Sequence, residues 1–124
     1  MIKFDKDVVL ELYKLLVSHT GGTFGIRDES MLESALSSPY QTFGGEELFK
    51  SLIEKAARLG YGLVRNHPFV DGNKRIGIFI MLTFLKVNGY DMVFTDDEIV
   101  NIALTLASGN MEYEELLQIL ESKK

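Results

Sequence analysis

Gly72-Asn73-Lys74-Arg75-Ile76-Gly77-Ile78-Phe79-Ile80-Met81-Leu82-Thr83-Phe84-Leu85-Lys86-Val87-Asn88-Gly89 is the stretch that decides the fold. Ile76, Ile78, Phe79, Ile80, Met81, Leu82, Phe84, Leu85 and Val87 place apolar residues on nearly every side of a helical wheel. A helix that is apolar all round belongs inside a core. Gly72 to about Asn88 is therefore expected to be a central, buried helix, with Gly89 placed to end it. The rest of the chain must supply its covering.

Outward from this helix, apolar positions recur at three- and four-residue spacing almost throughout. On the N-terminal side, Glu46 to about Arg65 reads as a long helix with Leu48, Leu52, Ile53, Ala56, Leu59, Leu63 and Val64 inward. Gly60 and Gly62 each cost it about 1 kcal/mol relative to alanine, which close helix packing would explain. Before it, Pro39 to Gly45 is a short aromatic loop, either a flap over a site or a plain surface turn. Asp28 can cap a short helix carrying Met31, Leu32, Ala35 and Leu36, closed by Pro39. Residues 18 to 27 form a loop after a first helix from Asp5 or Lys6 to Val17, whose stripe is Val8, Val9, Leu12, Leu15 and Leu16. On the C-terminal side, Tyr90 to Phe94 is extended and Thr95-Asp96-Asp97-Glu98 has the spacing of a capping box opening a helix to about Ala107. A last helix from Met111 to Leu120 turns Leu116, Leu117 and Leu120 inward. The phenylalanines, at helical spacing, are assigned to the core. The expectation is a compact all-α bundle of about six helices, one domain over residues 1–124.

Composition limits what such a bundle does. With 46% hydrophobic and 25% charged residues the chain is globular, and a net charge of −5 would repel a nucleic acid backbone. A phosphate-bearing ligand must then meet a local cluster of cations and backbone N–H groups, and basic residues adjoin glycine in that way at Gly72 to Arg75. No cysteine is present and the histidines are His19 and His67, which excludes a His/Cys zinc cage and suits a reducing cytoplasm. The N-terminal residues lack an apolar signal core, and the run from Ile76 to Leu85 is half of the roughly 20 residues a membrane span needs. No membrane association is expected.

Chemistry is concentrated where the two longest helices meet. Pro68 breaks the chain and holds His67 at a turn. Gly72 to Arg75 then form a first helical turn, whose backbone N–H groups lack intrahelical partners and whose dipole presents its positive end. Glycine at 72 lets a phosphate approach the backbone, and Lys74 and Arg75 add charge, Arg75 as a fork suited to phosphate oxygens. Asp71 is placed to hold Mg²⁺, an ion that takes one or two carboxylates and completes its shell with the substrate's phosphates. His67 is the candidate general base. Taken singly, each residue has a plainer role: His67 as a structural histidine, Asp71 as a helix cap, Lys74 and Arg75 as a solvated pair. Two cations at the unfavourable end of a dipole, however, suggest an anion between them. His19, with no carboxylate or second histidine nearby, is assigned to the surface.

The segment His67-Pro68-Phe69-Val70-Asp71-Gly72-Asn73-Lys74-Arg75 resembles the signature of the Fic/Doc family, His-x-Phe-x-Asp/Asn/Glu-Gly/Ala-Asn-Lys/Gly-Arg, at every named position. The chain's length, Gly25-Ile26-Arg27-Asp28-Glu29 and Lys74 look like the short death-on-curing (Doc) toxin branch. The resemblance implies that His67 activates a target hydroxyl, that Asp71 is the Mg²⁺ ligand, and that Gly72, Asn73, Lys74 and Arg75 bind the phosphates of ATP. It implies catalytic roles for His67, Asp71 and Asn73, and makes Phe69 a buried anchor. The larger Fic enzymes have glycine at the position of Lys74 and a second arginine at the position of Ile78, and transfer AMP. The Doc branch transfers the γ-phosphate, with the nucleotide reversed, and Ile78 favours that reaction.

In Doc toxins the acceptor is a threonine of elongation factor Tu, so the resemblance implies a kinase that blocks translation. The rivals are an AMP transferase and a non-catalytic antitoxin-binding module. Many Fic proteins restrain themselves with a Ser/Thr-x-x-x-Glu-Gly/Asn helix. No glutamate here is followed by glycine or asparagine, and Thr42-Phe43-Gly44-Gly45-Glu46-Glu47 fails at its last position. A separate antitoxin whose helix fills a groove near the site is the implied partner. Arg27, Asp28 and Glu29 are most simply a capped helix start, with room for a target or antitoxin contact.

Overall fold

The computed structural model describes residues 1–124 as six α-helices and one small hairpin. The helices are α1 (Lys6–Thr20), α2 (Glu29–Ser37), α3 (Leu52–Asn66), α4 (Asn73–Val87), α5 (Asp96–Ala107) and α6 (Tyr113–Lys123). The hairpin pairs β1 (Thr42–Phe43) with β2 (Glu46–Glu47) in antiparallel register, Thr42 opposite Glu47. The all-α expectation holds. No helix is long and apolar enough to cross a membrane.

α4 is the central helix, with Ile76, Ile80, Phe84 and Leu85 fully buried, and its most extensive partner is α3. The two approach closely because each carries a glycine at the crossing. A Cβ on Gly60 would fall 2.7 Å from Met81 Sδ, and one on Gly77 only 2.5 Å from Val64 Cγ2. Gly62 does the same service toward α2, where a Cβ would meet Ala35 Cα at 3.3 Å. The glycines of α3 are thus packing residues, as the sequence suggested.

Several boundaries differ from expectation. α3 starts at Leu52, not Glu46, because Ser51 caps it: Ser51 Oγ accepts from Glu54 N, and Glu54 Oε1 accepts from Ser51 N, both at 3.0 Å. The residues before it are drawn into the hairpin, whose two-residue turn uses Gly44 and Gly45 at φ 60° and 84°. Lys55, 2% exposed, ties that segment down by donating to the carbonyls of Phe49 and Lys50 and pairing with Glu47 at 3.2 Å. Leu48, expected inward, is consequently exposed.

α2 ends at Ser37 but runs on as a 3₁₀ turn, Ser38–Tyr40, with Pro39 inside it rather than beyond it. Proline sits at the start of that turn, where no donor is required. In α1, Asp5 caps Val8 N and the helix continues to Thr20, three residues past expectation. Its buried residues are Val9 and Tyr13, whereas Val8 and Leu15 face solvent. Phe24 and Phe43 are exposed, so the assignment of all phenylalanines to the core fails. α5 opens on the expected Thr95 capping box, and α6 buries Leu116 and Leu120 with Leu117 half-buried. Tyr90–Phe94 joins no ladder.

Candidate active site

α3 stops at Asn66 because the next residue, His67, takes a left-handed backbone (φ 51°, ψ 52°), the sole non-glycine residue with positive φ. Pro68 follows, and its carbonyl accepts from the amides of Arg27 (2.7 Å) and Asp28 (3.0 Å). Val70 N donates to Gly25 O at 2.9 Å, so the turn lies as a short ribbon along residues 25–28. Phe69 is fully buried against Tyr13, ring centroids 4.1 Å apart, and is the expected anchor.

Asn73 turns its side chain inward. Its side chain is 4% exposed and engages Phe69 twice, Oδ1 accepting from Phe69 N at 2.9 Å and Nδ2 donating to Phe69 O at 3.0 Å. The side-chain amide is a latch across the turn, and the backbone N–H of Asn73 stands in the first turn of α4.

α4 begins at Asn73, one residue later than expected, and Gly72 is its N-cap at φ 83°. Gly72 is demanded by that left-handed backbone as much as by ligand approach. No side chain caps the helix, so Asp71 does not serve as its N-cap. The amides of the first turn therefore lack intrahelical partners and stand at the positive end of the dipole.

Asp71 is held by the loop after α1. Its Oδ2 accepts from Thr23 N at 3.2 Å, and its carbonyl accepts from Tyr13 Oη at 2.8 Å. A Cβ on Gly22 would lie 2.6 Å from that same Oδ2. Arg75 Nη1 donates to Thr20 Oγ1 at 2.9 Å. The end of α1 and the glycine loop after it therefore pack directly on Asp71 and Arg75.

His67, Asp71, Gly72, Asn73, Lys74 and Arg75 all line one cavity of about 640 Å³, together with Val64, Arg65, Val70 and Ala107. The candidate catalytic, metal-binding and phosphate-binding residues are thus brought to a single place. Asp71 is the one carboxylate there, against three cations, Arg65, Lys74 and Arg75, that take part in none of the chain's ion pairs. An acidic protein has gathered net positive charge around a helix start, the arrangement a polyphosphate requires. Arg65 was missed by sequence reasoning. Its signal was a cation in the last turn of α3, two residues before His67. Tyr13 was missed as well, its hydroxyl lying within 3.4 Å of three carbonyls, those of Thr23, Gly25 and Asp71. His19 is exposed and lies outside the cavity, as expected.

Six helices with an imidazole, a carboxylate and an uncapped helix start facing one cavity define a class, and the chain matches the Fic/DOC family over residues 3–85. It belongs to the Fic/Doc family. Among its relatives is Toxin Doc of Mycolicibacterium smegmatis, 40% identical over 72 residues, which cover 58% of this chain and 55% of that protein. Protein kinase doc of Escherichia phage P1 is 27% identical over 112 residues, covering 90% of this chain and 87% of the phage protein.

Proposed function

We propose that this chain is a Doc-type toxin that transfers the γ-phosphate of ATP to a hydroxyl of a protein target, by resemblance a threonine of elongation factor Tu. The observation that carries this is the convergence of His67, Asp71 and the uncapped start of α4 on one cation-rich cavity. The names of the two relatives, a toxin and a protein kinase, support it.

In this scheme the amides of Gly72 to Arg75, with the side chains of Lys74 and Arg75, hold the phosphates and take up charge as transfer proceeds. His67 accepts the proton of the attacking hydroxyl. Asp71 is the carboxylate that would hold Mg²⁺, and one carboxylate suits an ion whose remaining ligands are phosphate oxygens and water. Bound there, the ion would supply positive charge toward the phosphates. Asn73 acts through Phe69, keeping the turn closed. At the position where the AMP-transferring relatives carry a second arginine, Ile78 is 4% exposed in apolar surroundings, which favours γ-phosphate transfer over AMP transfer.

Leu16, Ile78, Phe79, Leu82, Ile99, Val100 and Ala103 line a groove of about 350 Å³ that reaches Lys74 and Arg75. The antitoxin is proposed to lay an amphipathic helix there, its apolar face in the groove and an acid toward the two cations. Expression of the chain alone in a bacterial host is expected to arrest growth. Unchanged growth with folded protein would remove the toxin assignment.

The reaction is tested by transfer of label from γ-labelled ATP to a protein acceptor in a bacterial lysate, with the modified band identified by mass spectrometry. His67→Ala is expected to lower the rate by about 10²- to 10⁴-fold. Transfer of label from α-labelled ATP would instead select the AMP transferase. Absence of any Mg²⁺-dependent nucleotide binding by calorimetry, with partner binding intact in Asp71→Ala, would select a non-catalytic antitoxin-binding module.

A further inference from the structure

A left-handed backbone is a conformation that glycine adopts freely and a histidine does not, and the residue before a proline is biased toward extended geometry. His67 is both left-handed and followed by proline. Local sequence alone would therefore not keep it there, and a conformation of this kind persists only where its surroundings enforce it. Beside the ribbon bonds of Asp28 and Val70 and the Asn73 latch, one residue on the preceding loop bonds the carbonyl of His67 itself. Arg27 Nε donates to His67 O at 2.6 Å and Arg27 Nη2 donates to Asn66 O at 3.2 Å. The backbone amide of Arg27 donates to Pro68 O at 2.7 Å. Three successive carbonyls, from the end of α3 through the turn, thus converge on a single arginine.

Arg27 has no other evident task. It is exposed, so it fills no core position, it takes part in no ion pair, and it does not line the cavity. A planar fork matches two adjacent carbonyls better than the single ammonium of lysine does, and its charge suits the negative end of α3. If His67 relaxed to an extended backbone, the Cα–Cβ bond would swing and carry the imidazole away from Asp71 and α4. We propose that Arg27 is the positioning residue of the site: it locks the backbone of His67 in the left-handed form and thereby aims the imidazole into the cavity. This rests on His67 being the general base, and the test separates the two ideas.

The experiment compares the parent chain with Arg27→Gln, Arg27→Lys and a core truncation away from the turn, Val9→Ala. The chain has two histidines, so a carbon-resolved NMR spectrum of the imidazoles shows two signals, His67's being the one lost in His67→Ala. In Arg27→Gln the His67 signal is expected to shift and broaden while that of His19 stays. The kcat for γ-phosphate transfer should fall about 10- to 100-fold, the scale of a small misplacement of a reacting group, with KM for ATP unchanged. Arg27→Lys should recover part of that loss, and Val9→Ala should lower the melting temperature while leaving both the signal and kcat in place. A His67 signal unmoved in folded Arg27→Gln overturns the proposal, as does a raised KM with unchanged kcat, which would make Arg27 a nucleotide contact. Should Arg27→Gln not fold, Arg27→Lys carries the same comparison. If the parent chain transfers no phosphate, the kinase assignment fails, and the imidazole signal still decides the role of Arg27.

Discussion

Asn73 occupies the centre of the segment proposed to bind phosphate, and its amide group faces into the protein and closes on Phe69. Spacing along the chain marked the position but not the direction, because the latch exists only once Gly72 and His67 have taken positive φ. Removing it strands a buried N–H and a buried C=O, at about 1–3 kcal/mol for each. Asn73→Ala is therefore expected to be destabilised by about 2 kcal/mol or more, read from denaturant midpoints, and unchanged stability would mean that Phe69 finds other partners. Gly22 offers a second test. An alanine there would place its Cβ against Asp71 Oδ2 on a backbone at φ 104°. Gly22→Ala is expected to displace the carboxylate and weaken Mg²⁺-dependent ATP binding in calorimetry, while binding of ATP without Mg²⁺ changes little. By contrast, that His67, Asp71, Lys74 and Arg75 share one cavity was legible, since nine consecutive residues around one helix start cannot spread far.

Helices declare themselves through periodicity, and the order of all six was readable for that reason. Their ends were less so. The start of α3 was hidden because Glu46 to Lys50 continues a plausible helical pattern, and only the reciprocal bonds of Ser51 and Glu54, with Lys55 pulling on Phe49 and Lys50, show where the helix begins. The crossing of α3 and α4 yields a sharper expectation. A methyl on Gly77 would meet Val64 Cγ2 at 2.5 Å and also backbone atoms, Val64 N at 3.3 Å and Gly60 O at 3.4 Å. Overpacking typically costs about 1–3 kcal/mol, which outweighs the roughly 1 kcal/mol that alanine gains over glycine in a helix. Gly77→Ala should lower stability by about 1–2 kcal/mol, and adding Val64→Ala should return only part of it, because the backbone contacts remain. A neutral Gly77→Ala would show that the helices can separate without penalty.

For the molecule as a whole, the C-terminal helix is joined to the core by a group that senses pH. Tyr113 donates to Glu54 O at 3.2 Å and packs on Phe49, and burial, with Glu54 nearby, pushes its phenol up to about 12 from the ordinary 10.0. The folded chain thus keeps a proton that the unfolded chain has released, so the contribution is intact below pH 10 and is lost as pH climbs toward 12. Melting temperature is expected to fall across that window, and Tyr113→Phe should flatten the decline; an equally steep profile in the variant would assign the loss to other groups. The architecture itself was accessible from the sequence because a helix apolar on nearly every side demands a shell of amphipathic ones. What stayed hidden was the contact between distant segments, such as Tyr13 with Asp71 or Arg27 with His67, which only closure of the chain creates.

The turn from His67 to Gly72 joins the two helices at the centre of the core, so the same few residues are at once their connection and a wall of the cavity. Loss of activity on heating is therefore expected to coincide with loss of helical signal, and activity lost while that signal persists would show that the turn opens on its own. A single protease cut in that connection would have the same double effect.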